Sequence, residues 1–198
     1  MTVFANIIGT YNMLDASKYI NYKKFINFSS SSVLLPYETF YSASKASGER
    51  IVKAFVNRYD KPILTIRPFS IYGEGEADFR FIPTVIRALL KGEKMSVAVG
   101  AYHDWVYIKD FIDNLFLLTL SKTVQRGIIN MGTGRSWSNL DIIIFLEKIS
   151  SRKLVYEYED KMRDFDTKHW ISQDATIKSD IKEGLKRTYE YYKQRFKA

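Results

Sequence analysis

Phe25-Ile26-Asn27-Phe28-Ser29-Ser30-Ser31-Ser32-Val33, followed by Tyr41-Ser42-Ala43-Ser44-Lys45-Ala46-Ser47-Gly48-Glu49-Arg50, decides how this chain is read. Phe25 to Phe28 is a short apolar run between polar residues, the pattern of a strand buried on both faces. Serines follow at its end. Tyr41 and Lys45 stand four residues apart in a segment that reads as helix, so both side chains share one face, a turn apart. Hydroxyls at a strand end and a Tyr/Lys pair on the next helix can converge on one bound molecule.

Tyr-x-x-x-Lys occurs three times, at Tyr19/Lys23, Tyr41/Lys45 and Tyr189/Lys193. The first and third lie among charged and polar residues and read as solvated helix faces. Only the middle one follows an apolar strand and a serine run.

The residue types set the chemistry. A tyrosine normally ionises near pH ~10, too high for a base at neutral pH. An adjacent ammonium favours the phenolate, and a tenfold gain in its acidity corresponds to about 1.4 kcal/mol. Tyr41 with Lys45 behind it can therefore take a proton from a hydroxyl that a serine holds in place. A carbon that loses a hydroxyl proton and a hydride becomes a ketone. No side chain accepts hydride, which implies a nicotinamide.

The chain has 198 residues, 46% hydrophobic, enough for one sizeable domain with a real core. It has no cysteine, hence no disulfide or thiolate metal site, and no metal is expected. No apolar run reaches a membrane span, and Met1 to Asn6 lack the basic and apolar blocks of a signal peptide, so no membrane contact and a cytoplasmic location are expected. The formal charge of +8 comes from scattered lysines and arginines without a nucleic-acid signature. A phosphate-bearing small molecule accounts for it better than nucleic acid does.

Residues 3–20 read as an amphipathic helix on Val3, Phe4, Ile7, Ile8, Tyr11 and Leu14, with Gly9 marking a close approach or a tolerated glycine. The Tyr/Lys helix runs to about Tyr59 on Ile51, Val52, Phe55 and Val56, and ends before Pro62. A strand follows at 63–66, a helix at 82–92 closed by Gly92, a strand at 95–99, an apolar helix at 110–122, a helix at 139–150 capped by Ser138 and Asp141, a strand at 153–158 and a helix at 179–196.

At the serine strand and the Tyr/Lys helix the chain resembles an extended short-chain dehydrogenase/reductase of the NAD-dependent epimerase/dehydratase group, which acts on nucleotide sugars. The likeness is collinear along nearly the whole chain. Arg67-Pro68-Phe69-Ser70-Ile71-Tyr72-Gly73 looks like the family's Arg-Pro-x-Asn/Ser-x-Tyr-Gly segment. His103-Asp104-Trp105-Val106-Tyr107-Ile108-Lys109-Asp110 is similar to its Arg-Asp-Phe-Val-Tyr-Val-Asp-Asp, and Asn130-Met131-Gly132-Thr133-Gly134 to its Asn-Ile-Gly-Thr-Gly turn. Lys161 to Asp166 resembles its Arg-Pro-Gly-Asp loop.

The resemblance implies an α/β fold: part of a Rossmann-like doubly wound parallel sheet (1–75) and a smaller substrate-binding region interleaved with the last sheet strands (76–198). It implies Ser30, Tyr41 and Lys45 as catalytic residues, Ser30 being three before Val33. It places Phe28, Ser29, Tyr41, Lys45, Phe69, Ser70 and Ile71 against NAD or NADP, and Ser31, His103 and Arg163 against the nucleotide sugar. The family carries arginine where His103 stands, and a longer linker between the serines and the tyrosine. Helices 3–20 and 41–59 are the pair by which members commonly form homodimers.

The ten glycines contain neither Gly-x-x-Gly-x-x-Gly nor Gly-x-Gly-x-x-Gly, the turn that grips a dinucleotide pyrophosphate. A truncated nucleotide-sugar epimerase is therefore expected, an enzyme in its complete form and inactive or weak as this chain alone, with an exposed sheet edge and apolar surface. A dehydratase would carry Asp-Glu where Ser31 and Ser32 stand. A dehydratase or reductase of the same family, or a non-catalytic binding or assembly protein, is the alternative.

Overall fold

The computed structural model describes residues 2–98, 100–123, 126–159 and 170–196. A π-helical stretch, Phe4–Gly9, runs into α1 (Thr10–Ser17). The expected apolar stripe divides here: Leu14 is fully buried, whereas Val3, Phe4, Ile8 and Tyr11 face outward. A Cβ at Gly9 would have only Phe4 O in reach, at 4.0 Å, so no close approach requires that glycine. Close approach occurs instead at Gly48, where a Cβ would lie 3.1 Å from the Asn6 carbonyl oxygen.

β1 (Phe25–Phe28) leads through a short 3-10 turn, Ser31–Leu34, to α2 (Phe40–Tyr59). A reciprocal cap starts α2: Ser42 N–H donates to Thr39 Oγ1 and Thr39 N–H to Ser42 Oγ. It ends at Asp60, in the left-handed region, just ahead of Pro62. β2 (Ile63–Pro68) has its first four residues buried, as a central strand should.

Then come β3 (Ser70–Tyr72), α3 (Phe81–Lys91) closed by Gly92 at φ +70°, β4 (Lys94–Ala98), β5 (Tyr102–His103), β6 (Trp105–Tyr107) and α4 (Ile108–Leu120). β7 (Gly127–Met131), β8 (Trp137–Ser138), α5 (Asn139–Ser150), β9 (Val155–Glu159) and α6 (Ile181–Arg195) complete the described elements. Ser138 and Asp141 cap α5 reciprocally, as their spacing predicts.

β1, β2 and β7 form a parallel three-stranded sheet in that order, in register Phe28↔Ile66↔Ile129. Ile63 packs with Leu14 and Val52 under α1 and α2. Leu64 and Ile66, on the opposite face, pack with Phe111 of α4 and with Val106, Met131 and Ile177. Helices thus cover both faces of a parallel sheet, the Rossmann-like α/β arrangement. A third core joins α3, α5 and α6 around Tyr72, Trp105 and Tyr107.

Two expectations are corrected. β1 is not buried on both faces: it is the sheet's edge, Phe25 to Asn27 are half-buried and Phe28 is 45% exposed. No described strand pairs with its outer side, as the sheet-edge expectation requires. Tyr189 is buried rather than on a solvated face, because α6 turns it into the third core. Tyr19 is exposed beyond the end of α1.

Candidate active site

All three strands of the sheet end on one side, at Phe28, Pro68 and Met131. The ladder runs one residue past β1: Ser29 N–H donates to the Ile66 carbonyl at 2.8 Å. Ser29 is buried and its hydroxyl has no partner. Ser30 is extended and caps the 3-10 turn. Its Oγ accepts from the backbone N–H of Ser32 at 3.2 Å and from Ser32 Oγ at 2.9 Å. Having accepted twice, Ser30 keeps its own proton for a third partner. A hydroxyl so placed is a donor to a bound oxygen.

Tyr41 and Lys45 face together on the first turns of α2. Lys45 Nζ stands 6.0 Å from the centre of the Tyr41 ring and donates to the Phe28 carbonyl at 2.9 Å. The ammonium thus ties the helix that carries the phenol to the end of β1. Burial pushes the Lys45 amine below its ordinary value. Tyr41 itself is 45% exposed, open to a ligand. The first helix braces this end of α2, with Asn6 Nδ2 donating to Ser44 Oγ at 3.0 Å and Ser44 Oγ to the Tyr41 carbonyl at 2.8 Å.

The remaining expected residues are placed as follows. Ser31 is buried in the turn, 1% exposed. Phe69 is buried among Leu64, Ile66 and Met131 and also forms a wall of a cleft of about 390 Å³ with Leu34, Pro36, Asn130 and Trp170. Ser70 is half-buried and its N–H donates to the Asp104 carbonyl at 3.0 Å; Ile71 packs on the same core as Phe69. His103 is buried between two indoles, with ring centres 5.1 Å from Trp105 and 5.4 Å from Trp170. Arg163 and its loop lie outside the described residues. A second cleft, about 800 Å³ between the starts of α4 and α6, is lined by none of these residues that the structure describes.

Two polar centres lie beyond the sequence-based expectations. Asp104, with no solvent exposure, accepts from Thr133 N–H at 2.8 Å, Thr133 Oγ1 at 2.6 Å, Gly134 N–H at 3.0 Å and Ser172 N–H at 3.0 Å. It holds the turn after β7 at the strand-end side of the sheet. Glu49, four residues beyond Lys45, takes both oxygens to Arg67 of β2. The spacing Tyr41, Lys45, Glu49 is a signal for the second. Nothing local marks the first, whose partners lie 29 to 68 residues away. Among the described residues there is no cluster of three His, Asp or Glu side chains that could hold a metal, and no helix long and apolar enough to cross a membrane.

The model of the NAD dependent epimerase/dehydratase family matches residues 1–132. A dTDP-D-glucose 4,6-dehydratase of Dictyostelium discoideum is 28% identical over 163 residues, covering 69% of this chain and 37% of that protein. A probable UDP-glucuronate 4-epimerase of Rhizobium meliloti is 24% identical over 242 aligned residues, covering 98% of this chain and 69% of that one. Among solved structures, UDP-glucuronic acid 4-epimerase from Bacillus cereus in complex with UDP-glucuronic acid and NAD superposes with a TM-score of 0.86 at 25% identity, over 98% of this chain and 68% of that one. The chain spans little more than a third of the length of the Dictyostelium relative.

Proposed function

The chain belongs to the NAD-dependent epimerase/dehydratase family, and on that premise we propose that it is a nucleotide-sugar epimerase working with NAD. The observation that carries this reading is the Lys45 ammonium, hydrogen-bonded to the Phe28 carbonyl and 6.0 Å from the centre of the Tyr41 ring, on the helix that follows the serine turn. Tyr41 takes the proton of a sugar hydroxyl and later returns it. Ser30 donates its remaining hydrogen bond to the same sugar oxygen. Lys45 keeps a positive charge next to the phenol while it holds or releases that proton.

The residues at the strand ends fit the cofactor. Ser29 Oγ is a buried polar atom with no partner at the end of β1, and the Phe69 to Ile71 segment leaves β2 alongside it. Ser29, Lys45 and Phe69 to Ile71 would border the nicotinamide end. When bound, NAD supplies the acceptor and donor of the hydride that leaves and re-enters a carbinol carbon. The family's pyrophosphate turn is not among this chain's glycines, so these residues account for the reactive end of the cofactor alone.

Epimerisation is preferred over dehydration because Ser31 and Ser32 stand where a dehydratase of this group has its acid pair. Neither can donate a proton strongly enough to expel a hydroxyl. The second reading, a binding or assembly protein, is favoured by one feature: the outer side of β1, which no described strand pairs and where another strand could add. The family's common pairing supports a homodimer through the outward faces of α1 and α2, and the lack of cysteine supports the cytoplasm.

The test is incubation of the protein with NAD and UDP-glucuronic acid, followed by NMR of the sugar carbons. An inverted carbinol centre without net NADH is expected, slowly because the pyrophosphate turn is not supplied, and Tyr41→Phe should lower that rate by roughly 10²–10⁴-fold. An undiminished rate in Tyr41→Phe overturns the assignment of the base. No turnover, with no calorimetric binding of either compound, moves the chain to the second reading.

A further inference from the structure

Tyr41, Lys45 and Glu49 follow one another at four-residue intervals and form a single stripe along α2. The second and third are tied to different strands. Lys45 Nζ donates to the Phe28 carbonyl at the end of β1, at 2.9 Å. Glu49 accepts two parallel bonds from Arg67 of β2, 2.7 Å from Nε and 2.6 Å from Nη2. The Glu49 and Arg67 side chains are 10% and 18% exposed. Arg67 lies on the same face of β2 as Ile63 and Thr65, the face that α2 covers.

Apolar packing alone leaves the height of α2 loosely set. Val52 is the one fully buried apolar residue of its stripe; Ile51, Phe55 and Val56 are half-buried. Apolar contact is non-directional and tolerates sliding. A guanidinium–carboxylate fork fixes both distance and orientation. A buried pair of this kind contributes little net stability over apolar residues of the same volume, so its use lies more in specifying a geometry.

We propose that the Glu49–Arg67 fork is a positioning pair for the Tyr41/Lys45 site, setting the height and rotation of α2 over the strand ends so that the Lys45 ammonium meets the Phe28 carbonyl. Neither residue is among those assigned above to the sugar or the nicotinamide. The geometric claim stands by itself; its catalytic consequence rests on the function proposed above.

The test reads the Lys45–Phe28 contact directly. The 13C shift of the Phe28 carbonyl and the NOE between the Tyr41 ring and the Lys45 side chain are measured in the wild type, in Lys45→Met as the reference for a broken contact, and in the double variant Glu49→Leu/Arg67→Met. The double variant should keep its thermal midpoint within a few degrees. Its Phe28 carbonyl should move to the Lys45→Met value and its NOE should vanish. Should the double variant not fold, Arg67→Lys, which keeps the charge and loses the fork, is read for the same two signals. A wild-type carbonyl shift with the NOE intact overturns the proposal. In an active preparation, Arg67→Lys should lower kcat by about tenfold or more with KM little changed, since a displacement of about 1 Å is costly at a reacting centre. Moved NMR signals without activity in any form would keep the positioning role and remove the catalytic reading.

Discussion

The ammonium of Lys45 donates a 2.9 Å hydrogen bond to the carbonyl oxygen of Phe28, joining the helix that carries Tyr41 to the last residue of the edge strand. That bond is made by a group whose charge the fold disfavours, because partial burial lowers the Lys45 pKa from 10.5. Between the folded and unfolded values the unfolded chain holds more protons, so stability rises with pH there; below that window the charged amine carries a constant cost. The wild type should therefore gain thermal stability relative to Lys45→Met as pH rises toward 10.5. Thermal midpoints of both proteins across that range check it, and a gap independent of pH would contradict it.

Gly9 and Gly132 make opposite predictions from the same substitution. At Gly9 the backbone is helical and an added methyl meets nothing closer than 4.0 Å. Gly9→Ala should stabilise by up to about 1 kcal/mol, the helix-propensity difference. At Gly132 a Cβ would stand 2.5 Å from Ser172 Cβ and 2.6 Å from Asp104 Oδ2. Gly132→Ala should cost roughly 1–3 kcal/mol by forced displacement. Urea titrations of the two variants settle both signs.

This contrast marks what could be read from the residues alone. The glycine of the Gly-Thr-Gly turn was legible as a motif, but not the reason for it. That reason is a buried carboxylate whose partners come from separate parts of the chain. Periodicity and caps located α2, α3 and α5 to within a residue or two, since those signals are local. The edge position of β1, the burial of His103 between two indoles and the inward turn of Tyr189 depend on which elements become neighbours. The Tyr41/Lys45 pair was legible because both members sit on one helix. Arg67, the partner that ties the third member of that stripe to the sheet, sits on another element.

Asp104 should be the most sensitive polar position in the described fold. Its carboxylate receives three backbone N–H groups and one hydroxyl, and the residue has no solvent exposure. Asp104→Ala strands those donors, at about 1–3 kcal/mol for each one left unpaired. Asp104→Asn keeps the shape but turns an amide N–H₂ toward donors, and should still lose roughly 2 kcal/mol or more. Amide exchange at Thr133, Gly134 and Ser172 should accelerate together in either variant. Acceleration at one of the three alone would mean that they do not form one unit.

Glu76 offers a pH test of opposite sign to Lys45. Burial raises its pKa, only partly offset by Arg80, and one carboxylate oxygen has no partner. The folded state then holds the proton more tightly than the unfolded chain, so this contribution is present below pH 4.5 and lost as pH rises through the folded value. Glu76→Gln should be more stable than the wild type at pH 7, with the advantage fading at pH 4. Equal midpoints at both values would mean that the carboxylate finds compensation on ionising.

If the proposed homodimer forms, two exposed apolar stripes among the described residues are its candidate faces. Phe4, Ile8 and Tyr11 form an outward stripe at helical spacing on the first helix, and Ile112, Phe116 and Leu120 form another on α4. The first helix already packs its other side on α2 through Asn6 and Leu14. A second apolar stripe on such a helix is surface in excess of what the fold buries, and a self-complementary patch of this kind suits a two-fold dimer. Phe4→Lys/Tyr11→Lys should shift sedimentation toward the monomer without lowering the thermal midpoint, since Phe4 is 70% and Tyr11 53% exposed. Phe116→Lys, at a residue 61% exposed, should raise solubility and leave the dimer in place. The reverse pattern, with α4 needed and the first helix dispensable, would assign self-association to the face of the sheet away from Tyr41.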